Sequence, residues 1–290
     1  MKKITKALTA MLLLSALLTG CAKSNPETPA DSTTTTTEPS GTANRVWDGS
    51  VASKFSGGSG TAEDPYRIQS AAELAYLAET VNSGKETYSG KTVALAQDID
   101  LNQIEWTPIG DGIHAFMGNF NGNGHTIKNL KIIDPGEDRI PDIERGTDAA
   151  YDHGYGIIGN IYGGETTFKN LKFDTAELTA NNKHCAILVG GVYPDDDNVG
   201  AVVNVENVSM EDITVNGRMP MDGAFTIRTA CYIAVLFGNS EAYFKDCNVT
   251  TAYLSGFHNL AVFVGYDGTT LMGASNFENC NAFDVTMEFS

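Results

Sequence analysis

The chain has 290 residues, with 19 Lys and Arg against 36 Asp and Glu, for a formal charge of −17 at pH 7. A surface this acidic repels phosphate backbones and argues against a nucleic-acid partner. Five cysteines without a Cys-x-x-Cys pair, and five single histidines without a His-Glu-x-x-His run, exclude the common zinc sites, so no metal, cofactor or catalytic group is expected.

The first 21 residues have leader character. Lys2, Lys3 and Lys6 precede an apolar run, Ala7 to Leu18, that is too short to span a bilayer. Leu18-Thr19-Gly20-Cys21 follows and resembles the bacterial lipobox. The resemblance implies cleavage before Cys21, diacylglycerol on its thiol and a membrane partner through that anchor, which places the protein extracytoplasmically on the cell envelope. An ordinary secretory signal with a coincidental cysteine stays open. Loss of the three lysines takes the charge from −17 to −20. Residues 22–45 hold Ser24, Pro26, Pro29, Thr33 to Thr37 and Pro39 with little to bury, which predicts a disordered linker before a folded domain over 46–290.

The folded part opens on Trp47-Asp48-Gly49 and a Gly-rich stretch, Gly57 to Gly60. Ser70-Ala-Ala-Glu73 is a capping box, and Leu74, Leu77, Ala78 and Val81 follow at helical spacing. One short amphipathic helix is expected there, ending near Asn82-Ser83-Gly84 and covering the edge of the first coil. Val93 to Leu101 alternates as a strand, with Asp98 and Asp100 together on its outer face.

Beyond this point the chain cycles. Gly-rich aliphatic strands recur at Ala115-Phe-Met-Gly118, Gly156-Ile-Ile-Gly159, Ala186-Ile-Leu-Val-Gly190, Ala234-Val-Leu-Phe-Gly238 and Ala261-Val-Phe-Val-Gly265. Each is followed by a turn and a second motif: Ile127-Lys-Asn129-Leu130, Phe168-Lys-Asn170-Leu171, Val205-Glu-Asn207-Val208, Phe244-Lys-Asp246-Cys247 and Phe277-Glu-Asn279-Cys280. The anchoring residues lie 41, 37, 39 and 33 positions apart, a solenoid-like period. Phe168 is out of phase with Leu171 and Phe173 on a straight strand, so a bend at Lys169-Asn170 is needed to bury all three. Asn and Asp tolerate the left-handed conformation of such a bend. Asn129, Asn170, Asn207, Asp246 and Asn279 are therefore expected to stack as a structural ladder, with Asp246 interrupting the row of amides. Cys247 and Cys280 take the place of Leu130, Leu171 and Val208 and read as core residues; a bridge between them stays open.

Three strands per cycle predict an all-β, right-handed parallel β-helix of six or seven coils, about 30 Å long at roughly 4.8 Å per coil. Phe55-Ser-Gly-Gly-Ser-Gly-Thr61, Asp64-Pro65-Tyr66, Trp106-Thr-Pro-Ile-Gly110 and Phe116-Met-Gly-Asn-Phe120-Asn-Gly-Asn-Gly124 resemble bacterial surface lipoproteins with GLUG motifs. Related segments precede the protease part of immunoglobulin-A-cleaving metallopeptidases, and the coil is pectin-lyase-like. The resemblance implies a surface scaffold or adhesion module and carries no catalytic residue onto this chain.

The alternative is a polysaccharide lyase or hydrolase on the same coil, which needs converging carboxylates. Candidates are Asp98 with Asp100; Glu137, Asp138, Asp142 and Glu144 in the insert 134–152; and the acidic surface cluster Asp195, Asp196 and Asp197. Tyr151, Tyr155, Tyr162, Tyr193, Tyr232, Tyr243, Tyr253 and Tyr266 offer rings to a glycan. A glycan or surface-protein ligand is the expected partner. The last strand, Val285 to Ser290, predicts weak self-association through the C-terminal coil.

Overall fold

The computed structural model describes residues 46–135, 154–181, 184–195, 197–218, 228–256, 259–269 and 275–289. They form a parallel β-helix. Along one wall, seven strands pair in chain order: Tyr66–Ile68, Thr92–Leu95, Asn119–Asn121, Glu165–Ala180, Val202–Gly217, Glu241–Lys245 and Ser275–Glu278. Two further parallel sheets complete the later coils. One joins Gly154–Tyr155, His184–Ala186, Arg228–Ala230 and Leu260–Ala261; the other joins Ile158–Tyr162, Val189–Tyr193, Ile233–Gly238 and Val264–Thr269.

Helix α1, Ala71–Asn82, starts where its capping chemistry predicts. The Ser70 hydroxyl accepts from the Glu73 N–H at 3.2 Å, and the Glu73 carboxylate reaches back to the Gln69 N–H at 2.6 Å. Its buried Leu74, Leu77, Ala78 and Val81 belong to the same core as Ile68, Leu95 and Ile99 of the first coils. The expected strand over 93–101 is broken, however. Thr92–Leu95 and Ile99–Asp100 are separate, and Ala96, Gln97 and Asp98 between them are exposed, because the wall turns a corner there.

Inside the coil the side chains stack in columns. Val93, Phe120, Phe168, Val205, Phe244 and Phe277 share one register, and Ile99, Ile127, Phe173, Met210, Val249 and Ala282 share the next. A third column runs Ile132, Leu178, Val215, Leu254 and Met287. Each fully buried Phe, Leu or Val contributes roughly 1.5–3 kcal/mol. Phe168, Leu171 and Phe173 are all buried, as the phase argument requires, and Asn170 between them has φ 52°.

The corners form two columns. The first holds Asn170, Asn207, Asp246 and Asn279, all with φ between 51° and 54°. Asn207 Nδ2 donates to Asn170 Oδ1 at 2.9 Å, and Asn279 Nδ2 donates to Asp246 Oδ1 at 2.6 Å. The Asp246 carboxylate has no N–H to pass on to Asn207, so the donor chain restarts at that rung. Asn129 is not in this column. Ile127 pairs with Phe173 and Lys128 with Asp174, which sets Asn129 beside Thr175 at a second corner. That corner holds Asn102, Asn129, Thr175, Asp212, Thr251 and Asp284, with φ from 48° to 57°. The displacement comes from the loop around Gly122, which inserts two residues between Phe120 and Ile127. A Cβ on Gly122 would lie 2.3 Å from the Asn170 carbonyl oxygen, so this loop fits over the next corner only with glycine. Leu130 moves with Asn129 and lies in the column of Ala176, Ile213, Ala252 and Val285, away from Cys247.

The Gly-rich motif marks where two sheets touch backbone to backbone. A Cβ on Gly190 would lie 2.2 Å from the Tyr155 nitrogen, so no other residue fits there without movement. Register also corrects two members of this motif. Ala186 pairs with Ala230 and Val189 with Ile233, so the equivalent run is Ala230-Cys-Tyr-Ile233, and Ala234 sits one position later, beside Gly190. Ile109, rather than the run from Ala115 to Gly118, bridges to Ile158.

In the last described coil Phe277 and Phe289 are exposed although their columns are buried in the coils below, and Phe283 is exposed in an outward-facing column with Thr250 and Glu211. Its charged side chains, Glu278, Asp284 and Glu288, are all acidic, so two copies meeting there bring like charges together.

Substitutions at two positions test the corners by denaturant unfolding. Thr175→Asn replaces a β-branched residue at φ 57° with the type that holds the same corner at Asn129, and should stabilise by about 1 kcal/mol. Asn207→Gly, which keeps the backbone freedom and loses the amide, should cost about 1 kcal/mol, and Asn207→Ala about twice that.

Candidate functional site

The acidic candidates divide by location. Asp196, the residues Glu137, Asp138, Asp142 and Glu144, and Cys21 lie outside the described residues. Asp195 closes a tight loop: its Oδ1 accepts from the N–H groups of Asp197 at 3.1 Å and Val199 at 2.8 Å, and its backbone pairs with Val199 and Asn198. A carboxylate engaged in this way holds a turn, and Asp197 beside it is exposed. Asp98 accepts from the Thr126 N–H at 3.0 Å, with His125 Nδ1 at 3.4 Å and Lys128 at 3.9 Å. Asp100 accepts from the Asn102 N–H at 2.8 Å and from Asn129 Nδ2 at 2.9 Å. Asp98 and Asp100 do face outward together, but they serve the corners of the first coils. Among the described residues no group of three His, Cys, Asp or Glu converges as a metal site would require.

The outer face of the long wall carries an alternating charge row. Lys169, Glu206, Lys245 and Glu278 are register partners, and Lys245 Nζ lies 2.8 Å from Glu278 Oε1. Exposed pairs of this kind add little stability, but unlike charges on successive rungs disfavour a slipped register. Of the tyrosines, Tyr155, Tyr162, Tyr193 and Tyr232 are buried, while Tyr243, Tyr253 and Tyr266 are partly exposed on the last coils. Tyr151 is outside the described residues.

Three of the four cysteines are shielded by position. All four in the folded part are free, and Cys185, Cys231 and Cys247 are buried. Burial pushes the thiols of Cys231 and Cys247 up to about 12, far from the thiolate a nucleophile needs.

Two cavities flank helix α1. The first, about 380 Å³, is lined by Phe55, Tyr66, Tyr76 and Tyr88 with Lys54 and Lys85. The Phe55 ring sits among the three tyrosines, with centroids at 5.1, 5.1 and 6.0 Å, so the aromatic cluster is filled by its own member. The second, about 490 Å³, opens between segment 47–51, the helix face carrying Ala75, Ala78, Glu79 and Asn82, and the turn 104–107. Trp47 and Trp106 meet in its wall, 5.9 Å apart at 52°. Their indole N–H groups donate to the carbonyls of Ser50 and Ile157. Asn82 is also committed, donating to the Pro108 carbonyl at 2.9 Å and accepting from the Gly110 N–H at 2.7 Å, which ties the helix to the coil below. The cavity is thus lined by two nearly buried indoles, small aliphatic side chains, Ser83 and Thr107, and two carboxylates, Glu79 and Glu105. The sequence pattern gives no spacing for this cavity, since Trp47 and Trp106 lie far apart in the chain; their being its only tryptophans is the single signal it leaves.

No family model matches the chain. Halomucin of Haloquadratum walsbyi is 26% identical over 172 residues, covering 56% of this chain and 2% of that protein. A protein named as a Gly-rich membrane protein in Evansella cellulosilytica is 29% identical over 153 residues, covering 52% of this chain and 16% of its own length. The chain thus spans a small part of both relatives. A crystal structure of a proposed immunoglobulin A1 protease from Bacteroides ovatus covers 80% of each chain at 17% identity, with a TM-score of 0.39.

Thiol burial predicts a labelling pattern and an alkaline limit. At pH 8 a maleimide should modify Cys280 alone among the four cysteines of the folded part, and the other three only on unfolding. Because Cys231 and Cys247 ionise near 9 in the unfolded chain and about 12 when folded, their contribution to stability is complete below pH 9 and is lost as pH rises toward 12. Chemical unfolding at pH 8 and pH 11 measures the loss.

Proposed function

We propose that this protein is a cell-surface β-helix that acts as a scaffold or binding module without catalysis, held at the envelope by lipid on Cys21. The observation that carries the reading is the use of the described candidate carboxylates. Asp98, Asp100 and Asp195 each accept backbone or amide N–H groups at a turn, which gives each of them a structural duty in the coil. The surface location draws support from two relatives, one named a mucin and the other a membrane protein. The leader ending in Leu18-Thr19-Gly20-Cys21 supports the anchor. A long flat wall of stacked strands suits a glycan or surface-protein ligand, with Tyr243 as a partly exposed aromatic contact on it and Tyr253 and Tyr266 on other faces of the last coils.

Two experiments test the reading. On a polysaccharide panel the protein should bind without releasing product; turnover abolished by Asp195→Ala or Asp197→Ala would overturn the non-catalytic assignment. In cells fed an alkyne-tagged fatty acid the chain should label, and Cys21→Ser should abolish labelling and release the protein from the membrane fraction. Labelling that survives Cys21→Ser refutes the anchor.

A further inference from the structure

We infer that the open edge of the last described coil, strands Ser275–Glu278 and Asn281–Phe289, is a docking site for one extended strand of another protein, laid parallel to it and carrying an apolar residue, then Lys or Arg, then Asn. The two ends of the coil differ. Helix α1 packs over the first rung, whereas among the described residues strand Asn281–Phe289 is paired on one side only, by Asn248–Gly256. The N–H and C=O groups on its free side are a template for a further strand. The apolar columns end there as well. Phe168 and Phe244 are 1% and 2% exposed, but Phe277 in the same column is 52% exposed. One face of its ring stacks on Phe244 at 5.0 Å and 11°, which leaves the other face toward the next rung. Met287 and Phe289 end two further buried columns and are exposed in the same way.

Three observations set the chemistry of the incoming strand. The row Lys169, Glu206, Lys245 and Glu278 alternates in sign and ends on an acid, so the position opposite Glu278 takes a cation. Lys245 occupies one side of that carboxylate at 2.8 Å, and the Glu278 side chain stays 69% exposed. Beyond Lys245 the chain holds Asp246, Asp267, Glu278, Asp284 and Glu288 and no Lys or Arg, so this end of the coil favours a basic partner. The corner amides donate backward along the stack: Asn207 to Asn170, Asn279 to Asp246 and Asn281 to Asn248. The Oδ1 atoms of Asn279 and Asn281 are left as acceptors for the amide of a following rung. A second copy of this chain does not meet these demands. Its matching end is acidic too, and its first rung lies under α1, so copies are opposed end to end and blocked head to tail. The inference does not rest on the proposed surface role, since the edge would take the same strand whether or not the protein is anchored or its outer wall holds a glycan.

A rung of the coil itself supplies the probe. A fluorescein-labelled peptide with the sequence Glu165–Ala180 contains Phe168-Lys169-Asn170 and, in the register of the coil, sets Lys169 opposite Glu278 and Leu178 opposite Met287. Titrated with the full-length protein, its fluorescence anisotropy should saturate, and the same peptide with Lys169→Glu should bind about tenfold more weakly, equivalent to about 1.4 kcal/mol. Glu278→Lys in the protein should reverse the preference between the two peptides. Amide exchange in the complex should slow over 281–289 and in no earlier coil. The comparison of the two peptides on the unaltered protein does not depend on any variant folding. No saturable binding below about 1 mM, or protection confined to earlier coils, overturns the inference. Equal binding of the two peptides overturns the assignment to a basic strand. A dimer seen by sedimentation that the peptide dissociates would make a second copy the occupant and overturn the assignment to another protein.

Discussion

A parallel coil can bury a side chain on every rung only if every rung turns its corners at the same place. In this protein the constraint falls on single residues held in the left-handed region, Asn170, Asn207, Asp246 and Asn279 at one corner and Asn102, Asn129, Thr175, Asp212, Thr251 and Asp284 at the next. Each corner resets the two-residue alternation of the strand, which is how Phe168, Leu171 and Phe173 all face inward. Most other features follow from the resulting register. Hydrophobic columns stack because the corners do, the charge row from Lys169 to Glu278 alternates because its members are forced opposite one another, and the amide ladder exists because corner side chains lie one rung apart.

The same constraint explains why an acidic chain has so little acidic chemistry among its described residues. Asp is one of the few side chains that tolerates a left-handed corner and that also accepts the N–H groups such a corner leaves open. Asp98, Asp100, Asp195, Asp212, Asp246 and Asp284 are used in one or both ways. The repeat stops at the helix that covers the first rung. There α1 and segment 47–51 leave an indole-lined space that no repeated residue fills.

The phase conflict around Asn170 was legible because two apolar residues an odd number of positions apart cannot share a face of a straight strand. The corner at Thr175 carries the same odd spacing, Phe173 to Ala176, but threonine is a strand former and does not itself signal a left-handed bend. Asn129 misleads for a different reason. The string Ile127-Lys-Asn-Leu130 looks like Phe168-Lys-Asn-Leu171, but the two-residue loop at Gly122 shifts it one corner onward. Ala234-Val-Leu-Phe-Gly238 likewise resembles its neighbours in composition and differs from them in phase.

The sequence by itself determined the class of fold, the helix boundaries from Ser70 to Ser83 and the need for a corner near each Phe-x-Asn motif, because these depend on local propensity and on period-two arithmetic within a few residues. Only the tertiary structure decided which corners belong to one column, that Asp98, Asp100 and Asp195 are engaged at turns, and that Trp47, Glu79, Glu105 and Trp106 share one wall. Those facts depend on how many residues each loop inserts between rungs and on where a helix comes to rest across the coil, and neither leaves a periodic trace in the chain.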